Sequence, residues 1–294
     1  MRQAEGFRNE ALARALEEAI AGKPFPLYDL LARASGLPGT RINRGVVDAF
    51  AAECAARGKK ADRLIAEMIT LDADHAPGGT ELEILPVCGV AAVAARGAGD
   101  PSVRAESLVL LHNAADDFRF RVREAIPEGL VRLGQAMGDT LLHEIAPWMD
   151  GFFHAAAVVL ALAMPTWLGT LKNGELTLER LDQAFSLLRN ATRASSRYPG
   201  YKALVDALAI APKEIALRFG SPAFDLFLSW TKEKDPALRE LIQKSISSTK
   251  LTSRYAADVE RVRQALGATA PLPRDPTLIV HGTRGRGKKR GRNR

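Results

Sequence analysis

DPSVRAESLVLL (residues 100–111) and DPALRELIQKSI (residues 235–246) open alike: an Asp, then Pro, then an aliphatic residue and Arg, then small and aliphatic residues at helical spacing. An Asp side chain at a helix N-cap accepts from N–H groups that have no intrahelical partner, and Pro at the next position has no N–H to leave unpaired. Ser221-Pro222 reads as the same device with a hydroxyl. Between these stretches, DDFRFRVREAIPEGLVRLG (residues 116–134) carries a longer version of the pattern. Each predicts a helix start. Working outward from them, the chain reads as helix after helix, separated by short Gly, Pro and Asp punctuation.

Helices are predicted over residues 9–21, 26–34, 43–57, 60–71, 81–95, 101–114, 118–137, 141–148, 152–163, 177–195, 201–208, 212–219, 223–231, 236–247 and 253–266. Aromatic residues are scarce, so the core must be built mainly from Ala, Leu, Val and Ile, and Ala and Leu favour helix. The nearest approach to a strand is ELEILPVCGV (residues 81–90), which Pro86 and Gly89 interrupt. FFHAAAVVLALAMPTWL (residues 152–168) is apolar, but it falls short of the roughly 20 residues a membrane span needs and is broken by His154 and Pro165. It is predicted as a buried core helix, with no membrane partner.

The Asp–Pro–x–aliphatic–Arg pattern resembles the HEAT-repeat helix signature. The closing segment, residues 235–266, looks like the C-terminal repeat of bacterial HEAT-like proteins, a set that includes relatives of the DNA-alkylation-repair glycosylases. The resemblance covers residues 100–266; the first hundred residues share only the helical rhythm. It implies an all-α fold, an irregular α-solenoid of antiparallel helix pairs. It also implies that Asp100, Arg104, Asp116, Arg123, Asp235 and Arg239 hydrogen-bond between neighbouring repeats. The expected organisation is one helical domain over residues 1–270, with a minor boundary at Pro77-Gly78-Gly79 and a polar end cap over residues 1–22. A disordered basic tail is expected over residues 271–294, because so polar and glycine-rich a segment buries too little apolar surface to offset its ordering entropy.

The formal net charge is +7, and its location matters more than its size. The last eleven residues hold Arg284, Arg286, Lys288, Lys289, Arg290, Arg292 and Arg294 and no acid, which leaves 34 basic against 34 acidic residues in positions 1–283. The tail is therefore the expected nucleic-acid or polyanion contact: cations on a glycine-flexible backbone track a phosphate ladder without reading its sequence. Three groups in the helical region are secondary candidates for a basic groove. These are Arg119, Arg121, Arg123 and Arg132; Arg189, Arg193, Arg197 and Lys202; and Lys244, Lys250, Arg254, Arg261 and Arg263. The bland reading of each is a solvated, ion-paired helix face.

No catalytic set is evident. His75, His112, His143, His154 and His281 fall in no HExxH or Cys/His spacing, and His112 with Asp116 reads as a local cap. There is no P-loop, no GxSxG and no GxGxxG after a strand. Cys54 and Cys88 sit in apolar surroundings and read as buried free thiols. The resemblance raises one enzyme class, an alkyl-base DNA glycosylase, for which Trp148, Asp150, Trp167, Trp230 and Asp235 are the residue types at hand. The expectation is instead a cytoplasmic, cofactor-free and metal-free binding scaffold, associated with nucleic acid through its tail, with its concave groove as a secondary candidate contact. The alternative is a protein–protein adaptor whose concave face grips a helix or loop.

Overall fold

The computed structural model describes residues 2–269, with side chains from residue 10 onward. The expected basic tail, residues 271–294, lies outside the described residues. Within them the chain is all helical, with no strand. The first group is α1 (Arg2–Ile20), α2 (Phe25–Ala34), α3 (Arg44–Arg57), α4 (Lys59–Ile69), α5 (Ile84–Gly99), α6 (Arg104–Ala115) and α7 (Phe120–Met137). A short α8 (Thr140–Glu144) leads to α9 (Phe152–Ala163), α10 (Pro165–Leu168), α11 (Gly174–Arg189), α12 (Pro199–Leu208) and α13 (Ala211–Phe219). The chain then runs through α14 (Ser221–Trp230), α15 (Pro236–Ile246), α16 (Thr249–Arg254) and α17 (Ala256–Ala268).

Several starts follow the expected chemistry. Asp235 Oδ1 accepts from Ala237 N (2.8 Å) and Leu238 N (3.2 Å) at the head of α15. Asp100 accepts from Ser102 N (3.0 Å), but it caps a single 3-10 turn, Pro101–Val103, that feeds α6. The Ser102 hydroxyl, the Ser102 amide and Arg96 together hold the Asp100 carboxyl below the usual carboxylate range. Ser221 departs from expectation: the residue entering α14 is Gly220, at φ +65°, and the Ser221 hydroxyl donates instead to Asp258 on α17. The start of α11 lies three residues earlier than predicted, because Asn173 Oδ1 takes Leu176 N and displaces the expected start at Thr177.

Two helices are apolar on nearly all sides and organise the rest. Around α5 pack α3, α4, α6 and α7; around α9 pack α7, α11, α12 and α13. By length and composition Glu81–Gly99 could cross a membrane, but 72% of its most apolar stretch is buried in this protein's own core. A helix apolar all round is a core helix when neighbours cover every face. Pro86 is tolerated in α5 because it lies in the first turn, where its missing N–H has no carbonyl to meet. Gly89 is dictated by contact: a Cβ there would stand 2.4 Å from Ile69 N and 2.7 Å from Ile69 Cα, so α4 ends directly against the α5 backbone. The principal packing contacts join helices within four places of one another in the chain order. One continuous buried cluster runs from Leu12 to Val262, and the loop containing Pro77-Gly78-Gly79 lies within that span.

Between helices the recurring tie is an arginine on the end of a neighbour. The last carbonyls of an α-helix lack intrahelical donors and carry the negative end of its dipole, so a guanidinium satisfies both needs. Arg119, buried just before α7, donates to Leu71 O (2.6 Å), Asp72 O (3.1 Å) and Ala76 O (2.8 Å) beyond α4, while Asp117 holds its Nε. Arg180 on α11 reaches Leu142 O in α8 (3.1 Å), and Arg218 on α13 reaches Leu171 O after α10 (2.9 Å). Arg239 on α15 takes Thr231 O after α14 and Leu266 O in α17. Arg104 takes Gly97 O at the end of α5 (3.1 Å). Among the expected inter-repeat pairs, Arg104 and Arg239 therefore bond to carbonyls and not to aspartates. Asp117, the neighbour of the expected Asp116, is the carboxylate that orients an arginine, and Arg123 donates to the Asp117 carbonyl.

Two substitutions test this packing. Gly89→Ala should cost about 1–3 kcal/mol or more, because the backbone of Ile69 cannot yield as a side chain would. Arg119→Met should cost about 3–5 kcal/mol by leaving Asp117 and three carbonyls without their donor, and Arg119→Lys should recover only a minor part because one ammonium cannot serve that fork. Urea unfolding followed by circular dichroism reads both.

Candidate functional site

The concavity with the most developed chemistry lies across α3, α5 and α7. Its floor is Val87, Ala91 and Ala94 of α5 with Gly129 of α7, at the i, i+3, i+4 spacing that brings helix residues to one face. These small residues keep the floor low, and the cleft above it is open to solvent with a cavity volume of about 100 Å³. Its rims are charged: Arg44 and Asp48 on α3 face Arg121, Glu124, Glu128 and Arg132 on α7.

The rim charges are matched. Arg44 pairs with Glu128, and Arg132 Nη2 pairs with Asp48 Oδ1 at 3.1 Å, both across the mouth of the cleft. Arg121 donates to Gly39 O (2.8 Å) and lies 3.6 Å from the buried carboxylate of Glu83, which also accepts from Gly79 N. The two pairs across the mouth are half-exposed and individually weak, about 0–1 kcal/mol. Their consequence is electrostatic: the cleft presents three cations and three anions and has no surplus positive field.

Several members of the other basic groups are engaged as well. Arg119 and Arg123 serve backbone carbonyls, and Arg123 also stacks over Phe153 at 4.2 Å, where burial pulls its pKa below the usual arginine value. Arg189 lies over Trp230 and 3.5 Å from Glu233. Lys244 pairs with Glu240, Arg261 with Asp225 and Asp258, and Arg263 with Glu260. Arg254 lies over Tyr255. Arg193, Arg197, Lys202 and Lys250 have no carboxylate partner among the described residues, so the second group is matched only at Arg189. The expected contacts Arg284, Arg286, Lys288, Lys289, Arg290, Arg292 and Arg294 lie outside the described residues.

A second constellation was not evident from sequence. His112, near the end of α6, meets Asp150 and not Asp116: His112 Nε2 is 3.1 Å from Asp150 Oδ2. His154, in the first turn of α9, places Nδ1 2.9 Å from Asp150 Oδ1 and Nε2 3.0 Å from the His112 carbonyl oxygen. The two imidazoles stack at 3.9 Å and 14°, and Trp148 closes one side with its ring edge-on to both. Asp150 and His154 are an i, i+4 pair and so were legible locally, whereas His112 comes from 38 residues upstream of Asp150. His112, Asp150 and His154 are the group, among the described residues, whose donor atoms could hold a metal ion. The remaining tryptophans and Asp235 are engaged elsewhere. Trp167 is fully buried against Gly134, Trp230 Nε1 donates to Asp182 (2.7 Å), and Asp235 caps α15.

Cys54 and Cys88 are buried free thiols. Burial pushes the Cys54 pKa up to about 12 and moves Cys88 further in the same direction. Neither thiol should react with iodoacetamide in the native protein at mildly alkaline pH, and both should react in denaturant; mass spectrometry of the alkylated chain checks this. No family model matches the chain, and no curated protein and no solved structure does either.

Proposed function

We propose that this chain is a non-enzymatic binding scaffold of irregular HEAT-like solenoid form. Its α3–α5–α7 cleft takes a protein segment, and its basic C-terminal tail contacts nucleic acid or another polyanion. The solenoid reading is supported by how the helices are tied. Packing contacts stay among helices close in the chain. Most helix-to-helix side-chain bonds span between 33 and 50 residues. That range brackets the ~40–47 residues of a HEAT-type helix pair. The ties across the cleft span 82 and 84 residues, two such steps, as expected where inner helices of alternate pairs lean together over the one between.

The charge balance of the cleft carries the choice of partner. A phosphate backbone gains affinity by releasing counterions to unopposed cations, and here Arg44, Arg121 and Arg132 already hold carboxylates. A protein segment with an apolar strip and charges of both signs suits an apolar floor with mixed rims. Polyanion contact then falls to the tail, where seven cations stand without an acid.

Fluorescence anisotropy of labelled single- and double-stranded DNA and RNA across a salt series tests the division. The native chain should bind with a log–log salt slope no steeper than about −6, the value for seven cations. A full-length chain with the seven tail cations changed to Gln should lose that binding. Retention would place the contact on the helices and refute the reading. In parallel, amphipathic peptides selected on the native chain should fail to bind Ala91→Trp, which fills the floor; equal binding to both would remove the cleft from the proposal.

A further inference from the structure

We propose that His112, Asp150 and His154 bind one divalent first-row transition-metal ion, with Zn2+ the ion best suited to two imidazoles and a carboxylate. This site is independent of the cleft and of the tail.

The argument starts from proton positions. A carbonyl oxygen only accepts, so His154 Nε2, 3.0 Å from the His112 carbonyl, carries the proton. In a neutral ring Nδ1 then carries a lone pair and lies 2.9 Å from Asp150 Oδ1. Two electron-rich atoms at that distance repel unless a positive centre beside them balances the charge. A second ring proton does not fill that role, because Nδ1 has no hydrogen-bond partner despite the short distance: the carboxylate lies off the direction an N–H would take. The His154 side chain is 92% buried and stacked on the second imidazole, with Nδ1 lacking any hydrogen-bond partner. A metal ion fits better. It takes the Nδ1 lone pair and a carboxylate oxygen without needing N, H and O in line, and His112 Nε2 lies 3.1 Å from the second carboxylate oxygen.

The donor atoms all lie within 4.8 Å of one another. Around a tetrahedral Zn2+ with bonds of about 2.0–2.2 Å, ligand atoms stand roughly 3.3–3.6 Å apart, so the side chains must rotate to bring the present spacing to coordination. The surroundings match a built site. The Nε2–H bond from His154 to a backbone carbonyl fixes tautomer and ring orientation, as the outer partners of metal-bound histidines do. Gly151 leaves the space open, since a Cβ there would lie 2.7 Å from Nδ1. Asp150 is half exposed, which gives the ion an entry path and leaves a fourth position for water. The positive end of α9 opposes a cation, but that field is weak beside three direct ligand bonds.

The test uses the full chain, stripped with chelator and titrated with ZnCl2 and CoCl2. One Zn2+ per chain, a visible Co2+ absorption of tetrahedral type and a raised Tm are expected. His112→Gln, Asp150→Asn, His154→Ala and Gly151→Ala should each weaken Zn2+ binding about 100-fold, whereas His75→Gln and His143→Gln should leave it unchanged. Circular dichroism confirms that each variant is folded. If the native chain takes up no Zn2+ at about 100 μM, or if folded His112→Gln and Asp150→Asn bind as the native chain does, the proposal is overturned.

Discussion

A chain divided into many short helices has many helix ends, and each end leaves carbonyls without donors. That constraint governs this protein more than any single apolar contact does. The ends that pack inward cannot turn to water, and they are met by arginines from the following helices: Arg104, Arg119, Arg180, Arg218 and Arg239. Each bond joins the end of one helix, or the turn that follows it, to a neighbouring element, so satisfying the carbonyls also sets how the helices stack. Arg119 shows the economy of the device, binding three carbonyls and a carboxylate at one buried point.

This use of arginine changes how the chain's basic character is understood. A row such as Arg119, Arg121 and Arg123 reads as a cationic patch on paper. In the fold each guanidinium points to a different acceptor, and two of the three, Arg119 and Arg121, are matched by the carboxylates of Asp117 and Glu83. The apolar hubs α5 and α9 have a complementary role. Their small residues let neighbours come close, at Gly89 beneath α4 and at Ala91 and Ala94 beneath the cleft. Close packing and the low cleft floor thus arise from the same composition.

The all-helical class was legible because caps and prolines act within four residues, as at Asp100 and Asp235. Burial of Cys54 and Cys88 was legible from their apolar neighbours. The cap at Asn173 was missed because Thr177 competes for the same role, and Ser221 was misread because its hydroxyl finds Asp258 on another helix. Phe152–Ala163 was legible as a core helix by its unbroken apolarity, and residues 81–95 as a helix; the central place of α5 was not read, because Pro86 and Gly89 interrupt its pattern, one standing where the first turn accepts it and the other required by contact. The histidine cluster was out of reach for a plainer reason. Asp150 and His154 are neighbours in sequence, but the third donor, His112, arrives only when α6 packs beside α9.

The confinement of packing to helices close in the chain also bears on kinetics. Little loop entropy must be lost before a contact is rewarded, so structure can nucleate around α5 or α9 separately and spread outward by docking one helix at a time. The same locality means that opening at either terminus need not disturb the opposite end, and amide exchange should fall into a gradient, slowest in the two hubs and fastest at α1 and α17.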